Sequence, residues 1–459
     1  MKRQTHTPKL IATLSSLMAL SCVGITAAEP AAVAPEKSGL MRFLEQDYLL
    51  GDWMGGRSWL RDHGADFEFF YYGSMPNVVA GGRSIDRVYQ GMFAMMMDLD
   101  SKKLASYDGG RFHVGGLWLH GEKPFSDAFI GDLNKVNLID YPNGLRLWEL
   151  YYEQKMFDNA LSLKLGQLSV DQDFIKPEYA QIFVNQTYFF PTIHFNLFDL
   201  PGFPVGHHAL PSSPLTATGA RLRWESSPRV YTQVAVYDGS PDRSDSGGRI
   251  SLHREQGALI YLETGYKWNT EPADSGLPGN MKLGGYYHTD EFYDNYNTVR
   301  ALAGAGPGPT THSGNYGAYV TLDQQLYSEG IENDPARQGL GLFGRGGWAP
   351  KDRNFVEWAA DAGLVYKGLF AGRDWDSLGA TFAWMWMSDD IASAQRVVNT
   401  IVPGTFSPVD YEGLIEVTYK AQVTAWWTLQ PSLQWVMHPG GSQKDRDTLA
   451  FILMTTLRF

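Results

Sequence analysis

Three short motifs in the sequence carry residue types that bind cofactors or metals in other proteins. Gly339–Gly344 (GLGLFG) fits the glycine spacing of a dinucleotide-binding loop, His207-His208 could ligate a metal, and Asp171–Asp173 (DQD) could hold a cation. A dinucleotide-binding loop must open a helix, but the following RGGWAP has two glycines and a proline, which disfavour one. The two other motifs lack the further ligands of a metal site. We therefore expect no cofactor and no bound metal.

Nucleophilic catalysis would need a serine and a histidine held together with an orienting partner. No segment of the sequence suggests this grouping, so we expect no enzymatic activity. Because such a triad is formed in space and not in sequence, a membrane-embedded hydrolase stays open as an alternative.

The remaining candidates are charged residues that alternate with apolar ones. In GARLRWE (219–225), Arg221 and Arg223 share one parity, and Leu222 and Trp224 share the other. Side chains alternate between the two faces of a strand, so such a segment has one polar and one apolar face. The polar faces carry both signs of charge, which suits polar, uncharged solutes better than ions of one sign. As residues that contact solute we predict Arg146, Glu149, Glu153, Lys164, Phe174, Arg221, Arg223, Glu263 and Asp361. The wider polar set on the same faces adds Lys282, Asp323, Arg345, Glu357, Lys367, Glu416 and Lys420.

Two of these residues can contact solute only in a particular structural position. Arg146 does not share the parity of Glu149, so it must lie at a β-bulge or at a rim to face the same way. Phe174 lies in a long connection and would contact solute by stacking, while the arginines and carboxylates would orient hydroxyl groups.

Sixteen alternating segments follow one another from residue 65 to the end of the chain. Long and short connections alternate between them, as in outer-membrane barrels, which have long extracellular loops and short periplasmic turns. We therefore predict an all-β fold, a 16-stranded antiparallel transmembrane β-barrel whose apolar face meets lipid and whose polar face meets the lumen. The predicted strands are 65–75, 90–101, 110–121, 145–156, 160–168, 216–226, 229–238, 257–268, 280–290, 314–327, 338–348, 355–367, 375–388, 411–424, 426–437 and 447–459.

The ends of these segments carry aromatic residues, as membrane interfaces do. The predicted interfacial residues are Trp148, Tyr152, Trp268, Trp348, Trp384, Trp386, Trp426 and Trp427. The last segment, LAFILMTTLRF, places Leu449, Phe451 and Leu453 on one face. It ends on Phe459, a terminal aromatic resembling the signal that the bacterial barrel-assembly machinery reads, so we expect that machinery as a partner.

The N-terminal region is expected to direct export. Basic residues precede an apolar run, Leu10–Ile25, and small residues follow it, as in a secretory signal. We predict a signal peptide at 1–28, a periplasmic segment at 29–64 and a barrel domain at 65–459. Within 29–64, residues 29–50 are expected to be loose, and GDWMGGRSWLRDHG (51–64) predicts a short helix closed by Gly64.

Overall composition narrows the function further. The formal net charge of −12 over 459 residues argues against nucleic-acid binding. A soluble secreted β-propeller is the alternative fold, but the sequence shows no repeat near forty residues. A non-conducting barrel also stays open.

The longest connection, residues 169–215, is too aromatic for a free loop. It includes Phe174, Tyr179, Phe183, Tyr188, Phe189, Phe190, Phe195, Phe198 and Phe203. We expect it to fold into the barrel and narrow the channel, with packing as an outer cap as the alternative.

Several longer motifs are similar to those of one family. They are GDWMGGRSWLRDHGADFEFFYYG, LRLWELYYEQKMFDNALSLKLGQLSVDQDF, FVNQTYFFP, TGARLRWESSPRVYTQVAVYDGSP, KLGGYYHT, GNYGAYVTLDQQLY, FGRGGWAPKDRN and LQPSLQWVMHPGG. Together they resemble, over residues 51–459, the OprB-type carbohydrate-selective porins. The resemblance implies a sixteen-stranded channel in the outer membrane of a Gram-negative bacterium, through which monosaccharides or similar polyols pass passively. Organic acids remain an alternative solute class, since the Met-rich MFAMMMDLD (92–100) and the loop insertions depart from the family pattern. A homo-oligomer is also open.

Overall fold

The computed structural model of the protein describes residues 38–185, 210–242, 244, 246–250, 252, 254–271, 274–330 and 337–459. The chain divides into a short unit, Met1–Arg42, and a large unit, Phe43–Phe459, which contains every described strand. The predicted signal peptide, 1–28, lies outside the described residues.

The large unit is a closed antiparallel barrel in which each strand pairs with its neighbours in sequence and β1 pairs with β16. The predicted fold class is therefore confirmed. The strands are β1 (Ala65–Ala80), β2 (Gln90–Asp100), β3 (Gly110–Gly121), β4 (Gly144–Met156), β5 (Leu161–Leu168), β6 (Ala217–Ser227), β7 (Val230–Asp238), β8 (Ala258–Trp268), β9 (Gly279–Tyr293), β10 (Thr311–Ser328), β11 (Gly339–Trp348), β12 (Val356–Lys367), β13 (Ser377–Met387), β14 (Tyr411–Thr424), β15 (Trp427–Met437) and β16 (Thr448–Arg458).

Short helices accompany the strands. They are α1 (Gly39–Glu45), α2 (Gly56–Asp62), α3 (Ser101–Ala105), α4 (Val170–Asp173), α5 (Asn295–Leu302) and α6 (Asp389–Ile401). In the part of the chain that the structure describes, no helix has the length and apolarity needed to cross a membrane.

The two faces of the wall differ as the alternation predicts. Leu262 and Leu283 are 55% and 63% exposed on the outside, whereas Tyr261 and Glu263, their neighbours on the inside, are buried. Apolar side chains on the outside suit hydrocarbon, and closure of the sheet leaves no unpaired backbone edge there.

The inner face of β16 is also apolar over part of its length, which the sequence did not lead us to expect. Ala450 and Ile452 are fully buried and pack with Phe125 and Phe129 from the β3–β4 connection, residues 122–143. This connection therefore folds inward, and the inner wall is dry where the connection covers it.

Three strands run further than predicted on the side of the long connections. β1 continues to Ala80, and β9 and β10 remain paired up to Tyr293 and Thr311. Backbone pairing needs no apolar side chain, so strands extend beyond the alternating pattern that reveals them in a sequence. In β1 the strand passes through Pro76, whose carbonyl accepts a hydrogen bond from Val88 N at 3.2 Å.

A bulge in β4 satisfies the condition set for Arg146. Gly115 of β3 pairs with Glu149, whereas Gly116 pairs with Leu147, so Trp148 is the extra residue. The bulge gives Arg146 an inward position. It also turns Trp148 inward, where its indole N–H donates to Ser213 Oγ at 3.0 Å. The prediction of Trp148 at the membrane interface is therefore wrong.

The N-terminal region contains more structure than predicted. The helix predicted within 51–64 is present as α2, and Gly64 follows it with a positive φ of 96°. The segment 29–50 was expected to be loose, but α1 lies within it. Phe43 of α1 packs on Trp426 at 5.2 Å between ring centroids, and Trp426 is only 7% exposed. The interfacial assignment of Trp426 is therefore wrong as well.

The end of β16 is held by the N-terminal region at the seam of the barrel. Arg57 of α2 donates to Phe67 O at 2.9 Å and to the terminal Phe459 O at 2.5 Å. Its guanidinium is 3.8 Å from the ring centroid of Tyr48 and 4.4 Å from that of Trp53. Arg57 is 2% exposed, so one buried cation joins α2, β1 and the chain terminus.

We expect Arg57→Ala to destabilise the closed barrel by about 2–4 kcal/mol, because it removes hydrogen bonds to a charged group on both strands of the seam. The measurement is the apparent melting temperature in detergent, followed by circular dichroism and by the mobility shift of unheated samples on gels. Arg87→Ala, at an exposed position, is the control. Equal melting temperatures for the Arg57→Ala variant and the native protein would show that the seam does not depend on this contact.

Candidate functional site

Carboxylates of the inner wall bind the backbone of the β5–β6 connection. Glu263 of β8 accepts a hydrogen bond from Ile175 N at 3.0 Å. Asp323 of β10 accepts from Tyr179 N at 3.1 Å and from the preceding N–H at 2.9 Å. Glu416 of β14 accepts from Val184 N at 2.9 Å. Buried N–H groups need partners, and these acceptors supply them, so residues 173–185, here named the loop belt, lie against the inner wall.

Donors on the wall bind carbonyl groups of the same loop belt. Gln233 of β7 donates to Asp173 O at 2.7 Å, Arg345 of β11 to Ile175 O at 3.3 Å, and Gln430 of β15 to Ile182 O at 2.5 Å. Lys282 of β9 donates to Lys176 O. The contacts begin on β7 at Asp173 and reach β15 and β14 at Ile182 and Val184, so the loop belt runs around the inside of the barrel.

Two glycines make room for the side chains of the loop belt. A Cβ on Gly341 would lie 2.1 Å from the ring of Tyr179, and one on Gly379 would lie 2.5 Å from Ile182 Cδ1. These distances are far below contact distance, so the wall is recessed where the loop belt packs. The sequences of both the loop belt and the wall strands therefore favour the inward fold of this part of the connection.

The β3–β4 connection is held inward by the same kind of contact. Glu412 of β14 accepts from Leu133 N at 2.9 Å and Asn134 N at 2.8 Å. The two connections also meet, because Leu138 N donates to Val184 O at 2.8 Å. Sequence analysis missed Glu412, although its spacing of four from Glu416 in an alternating strand places both on one face.

Charged side chains cluster where the loop belt leaves β5. Asp173 Oδ1 is 2.8 Å from Lys164 Nζ and 3.7 Å from an Arg221 nitrogen, and the same nitrogen is 3.0 Å from Glu153 Oε1. Glu149 Oε1 accepts from Ser169 N at 3.3 Å. Four of the predicted contact residues, Glu149, Glu153, Lys164 and Arg221, thus lie together. Because they are almost completely buried, the cluster connects the loop to the wall.

The comparisons with known proteins give this barrel a family. The family model named carbohydrate-selective porin, OprB family, matches residues 86–459 of the sequence. The chain belongs to this family. It is therefore an outer-membrane carbohydrate porin, and its relatives are transport channels.

Individual relatives are similar along nearly the whole chain. Porin B of Pseudomonas aeruginosa is 28% identical, over 97% of this chain and 97% of the relative. A putative porin named QuiX, from Acinetobacter baylyi, is 22% identical over 90% of this chain and 94% of the relative. A solved structure of Pseudomonas putida OprB at high pH superposes with a TM-score of 0.79 and 26% identity, covering 90% of this chain and 99% of that one.

The other predicted contact residues of this porin are dispersed along the inner wall. Asp361 pairs with Arg345 at 2.8 Å, and Arg223 pairs with Glu225 at 2.6 Å, close to the periplasmic end of β6. An Arg146 guanidinium nitrogen donates to Asp242 O at 2.9 Å. Phe174 packs on Tyr261 at 5.2 Å and is 1% exposed. Solute contact by these residues stays a prediction, and their contacts with protein are what the structure establishes.

A polar group on β2 to β4 was missed in the sequence. Arg111 Nε is 3.5 Å from Asp98 Oδ1, and His113 Nδ1 is 2.7 Å from the same oxygen. Arg111 also donates to Tyr151 Oη. The side chains of Arg111 and Asp98 are 45% and 35% exposed, so these groups reach the water of the porin. The sequence showed that these residues alternate with apolar ones. It did not show that no connection would cover them.

Removing the charge of two loop-binding carboxylates tests the loop belt. We expect Asp323→Asn combined with Glu416→Gln to loosen residues 178–185, because neutral amides accept weaker hydrogen bonds than carboxylates. Single-channel recordings in planar bilayers should then show a larger and noisier conductance than the native porin.

Glu225→Gln is the matched control, because Glu225 pairs with Arg223 at the rim and the loop belt has no contact with it among the described residues. An unchanged conductance in the double variant, with the control also unchanged, would show that these carboxylates do not position the loop belt.

Proposed function

We propose that the porin passes monosaccharides or similar polyols by passive diffusion, and that the connection 169–215 narrows its lumen. The observation that carries this proposal is the loop belt, whose backbone is bound along the inner wall from β7 to β15. Residues 186–209 of that connection, with the aromatic residues predicted there, lie outside the described residues.

The lumen suits neutral solutes that are rich in hydroxyl groups. Most inner-wall carboxylates are engaged with backbone N–H groups, arginines or lysines, as at Glu153 and Arg221. Paired charges attract neither cations nor anions strongly. The residues of these pairs that are partly exposed can still form hydrogen bonds with a solute. No covalent step is needed for passage, so we also propose that the protein is not an enzyme.

The nine predicted contact residues divide by exposure. Seven are each less than 9% exposed, and we propose that they act by holding the loop belt and the wall together. They are Glu149, Glu153, Lys164, Phe174, Arg221, Glu263 and Asp361. Arg146 and Arg223 are partly exposed, and we propose that these two meet solute directly.

Phe459 remains our proposed assembly signal. Its ring packs on Phe93 at 5.7 Å and its N–H donates to Phe69 O at 3.0 Å. Once the seam is closed, these contacts cover the end of the chain, so recognition by the assembly machinery would have to precede closure.

Swelling of proteoliposomes tests the function. We expect glucose to enter faster than an amino acid or an organic acid of similar size, and a disaccharide to enter more slowly because the loop belt narrows the lumen. Empty liposomes are the control.

Other outcomes would replace the proposal. Equal rates at equal size would remove sugar preference, and faster entry of the acid would make organic acids the solute class. Absence of single-channel current would indicate a non-conducting barrel. Hydrolysis of a lipid ester by the purified protein would indicate an enzyme.

A further inference from the structure

Four apolar side chains face the lumen on the neighbouring strands β1 and β2. They are Phe70, Tyr72, Met92 and Met96, here named the aromatic–methionine strip. We propose that this strip is a stacking site for the pyranose ring of a sugar. The inference rests on the proposed function and adds the residues that select the solute.

The direction of these side chains follows from their neighbours on the same strands. Ser74 and Val78 share the parity of Phe70 and Tyr72, and both are buried inside the barrel. Met75 and Val79, on the opposite parity, are 50% and 46% exposed on the outside. Phe70 and Tyr72 therefore face the lumen.

On β2 the register gives the same result. Met92 lies opposite Tyr72, and Met96 lies opposite Glu68. The remaining methionines of the Met-rich segment, at 95 and 97, have the outward parity. The segment that departs from the family pattern thus places two of its methionines in the lumen.

The strip has the shape of a shallow apolar track. The rings of Phe70 and Tyr72 are 6.2 Å apart and inclined by 31°. Phe70 lies opposite the small Ala94, and Met96 lies opposite Gly115 on one side and Glu68 on the other. Met92 and Met96 are four residues apart, which makes the track roughly 14 Å long. All four side chains are partly exposed, and the loop belt has no ring contact or hydrogen bond with them among the described residues.

Polar groups border this track. Tyr72 has no hydrogen-bond partner for its phenol in the described part of the chain. Toward the periplasm the strip is followed by Asp98, which lies opposite Asp66, and by the exposed Arg111. A solute on the strip would therefore have apolar surface beneath it and a donor and an acceptor at its end.

This arrangement fits a pyranose better than an ion or an open chain. A glucose-type ring carries its hydroxyl groups around the rim and presents C–H groups on its faces. Aromatic faces carry partial negative charge and attract such C–H groups, while methionine adapts to irregular shapes. An open-chain hexitol of nearly the same mass carries six hydroxyl groups in place of the five hydroxyl groups and ring oxygen of the pyranose, and it has no rigid apolar face, so it would gain little from the strip. Phe174, the aromatic residue predicted for this role, is too deeply buried to provide it.

The test compares glucose with sorbitol, which match in size and hydroxyl chemistry. We expect the native porin to pass glucose roughly two- to tenfold faster than sorbitol in proteoliposomes, the range that aromatic stacking provides. In Phe70→Ala combined with Tyr72→Ala, the ratio should fall to about one even if both rates rise in the wider lumen. Tyr72→Phe keeps the ring and should retain most of the preference.

Phe67→Ala, on the lipid-facing parity of β1, is the matched control and should leave the ratio unchanged. The gel mobility of unheated samples verifies that each variant is folded. A native ratio of one, or a ratio that survives the double substitution, would overturn the strip while leaving sugar passage intact. Failure of the native porin to pass glucose at all would instead overturn the proposed function.

Discussion

The hydrogen bonds between inner-wall side chains and the loop backbone are the constraint on which the rest of this structure depends. A loop that enters a barrel brings N–H and C=O groups without the regular partners of a helix or a sheet. Each unpaired group would cost about 1–3 kcal/mol. Glu263, Asp323 and Glu416 remove this cost along the loop belt because each accepts a hydrogen bond from a backbone N–H group of the belt. The shape of the lumen follows from where those carboxylates stand.

The same contacts explain why the inner wall is not uniformly wet. Where the β3–β4 connection and the loop belt lie, the wall behaves as one layer of a two-layer core. Phe183 of the loop belt packs on Phe343 of β11 at 5.6 Å, and Ile452 of β16 is fully buried. Among the described residues, inner-wall side chains stay partly exposed on β1 to β4, as at Tyr72, Asp98 and Arg111, and on β6 at Arg223. The covered part of the wall is held by its contacts with the connections, and the partly exposed residues are those that water and solute can reach.

The N-terminal region completes the barrel in a way that the strand pattern alone does not. Strand pairing closes the sheet between β1 and β16, but the carbonyl of Phe459 lies beyond the last residue pair of that ladder. Arg57 donates a hydrogen bond to this carbonyl, and its guanidinium lies over the rings of Tyr48 and Trp53. The region before β1 thus contributes to closure of the barrel.

The sequence by itself determined the barrel, its strand number, the parity of nearly every strand and the need for a bulge or a rim position at Arg146. These follow from a period of two, which depends only on which residues meet oil and which meet water. It also indicated that 169–215 could not be a free loop. It did not show that polar residues of the inner face such as Glu149 and Glu263 would bind the backbone of that loop, or that Phe174 would be buried while Phe70 and Tyr72 remained partly exposed. Only the tertiary structure decided these points, because they depend on which part of a distant loop covers which part of the wall, and residue spacing carries no record of that pairing.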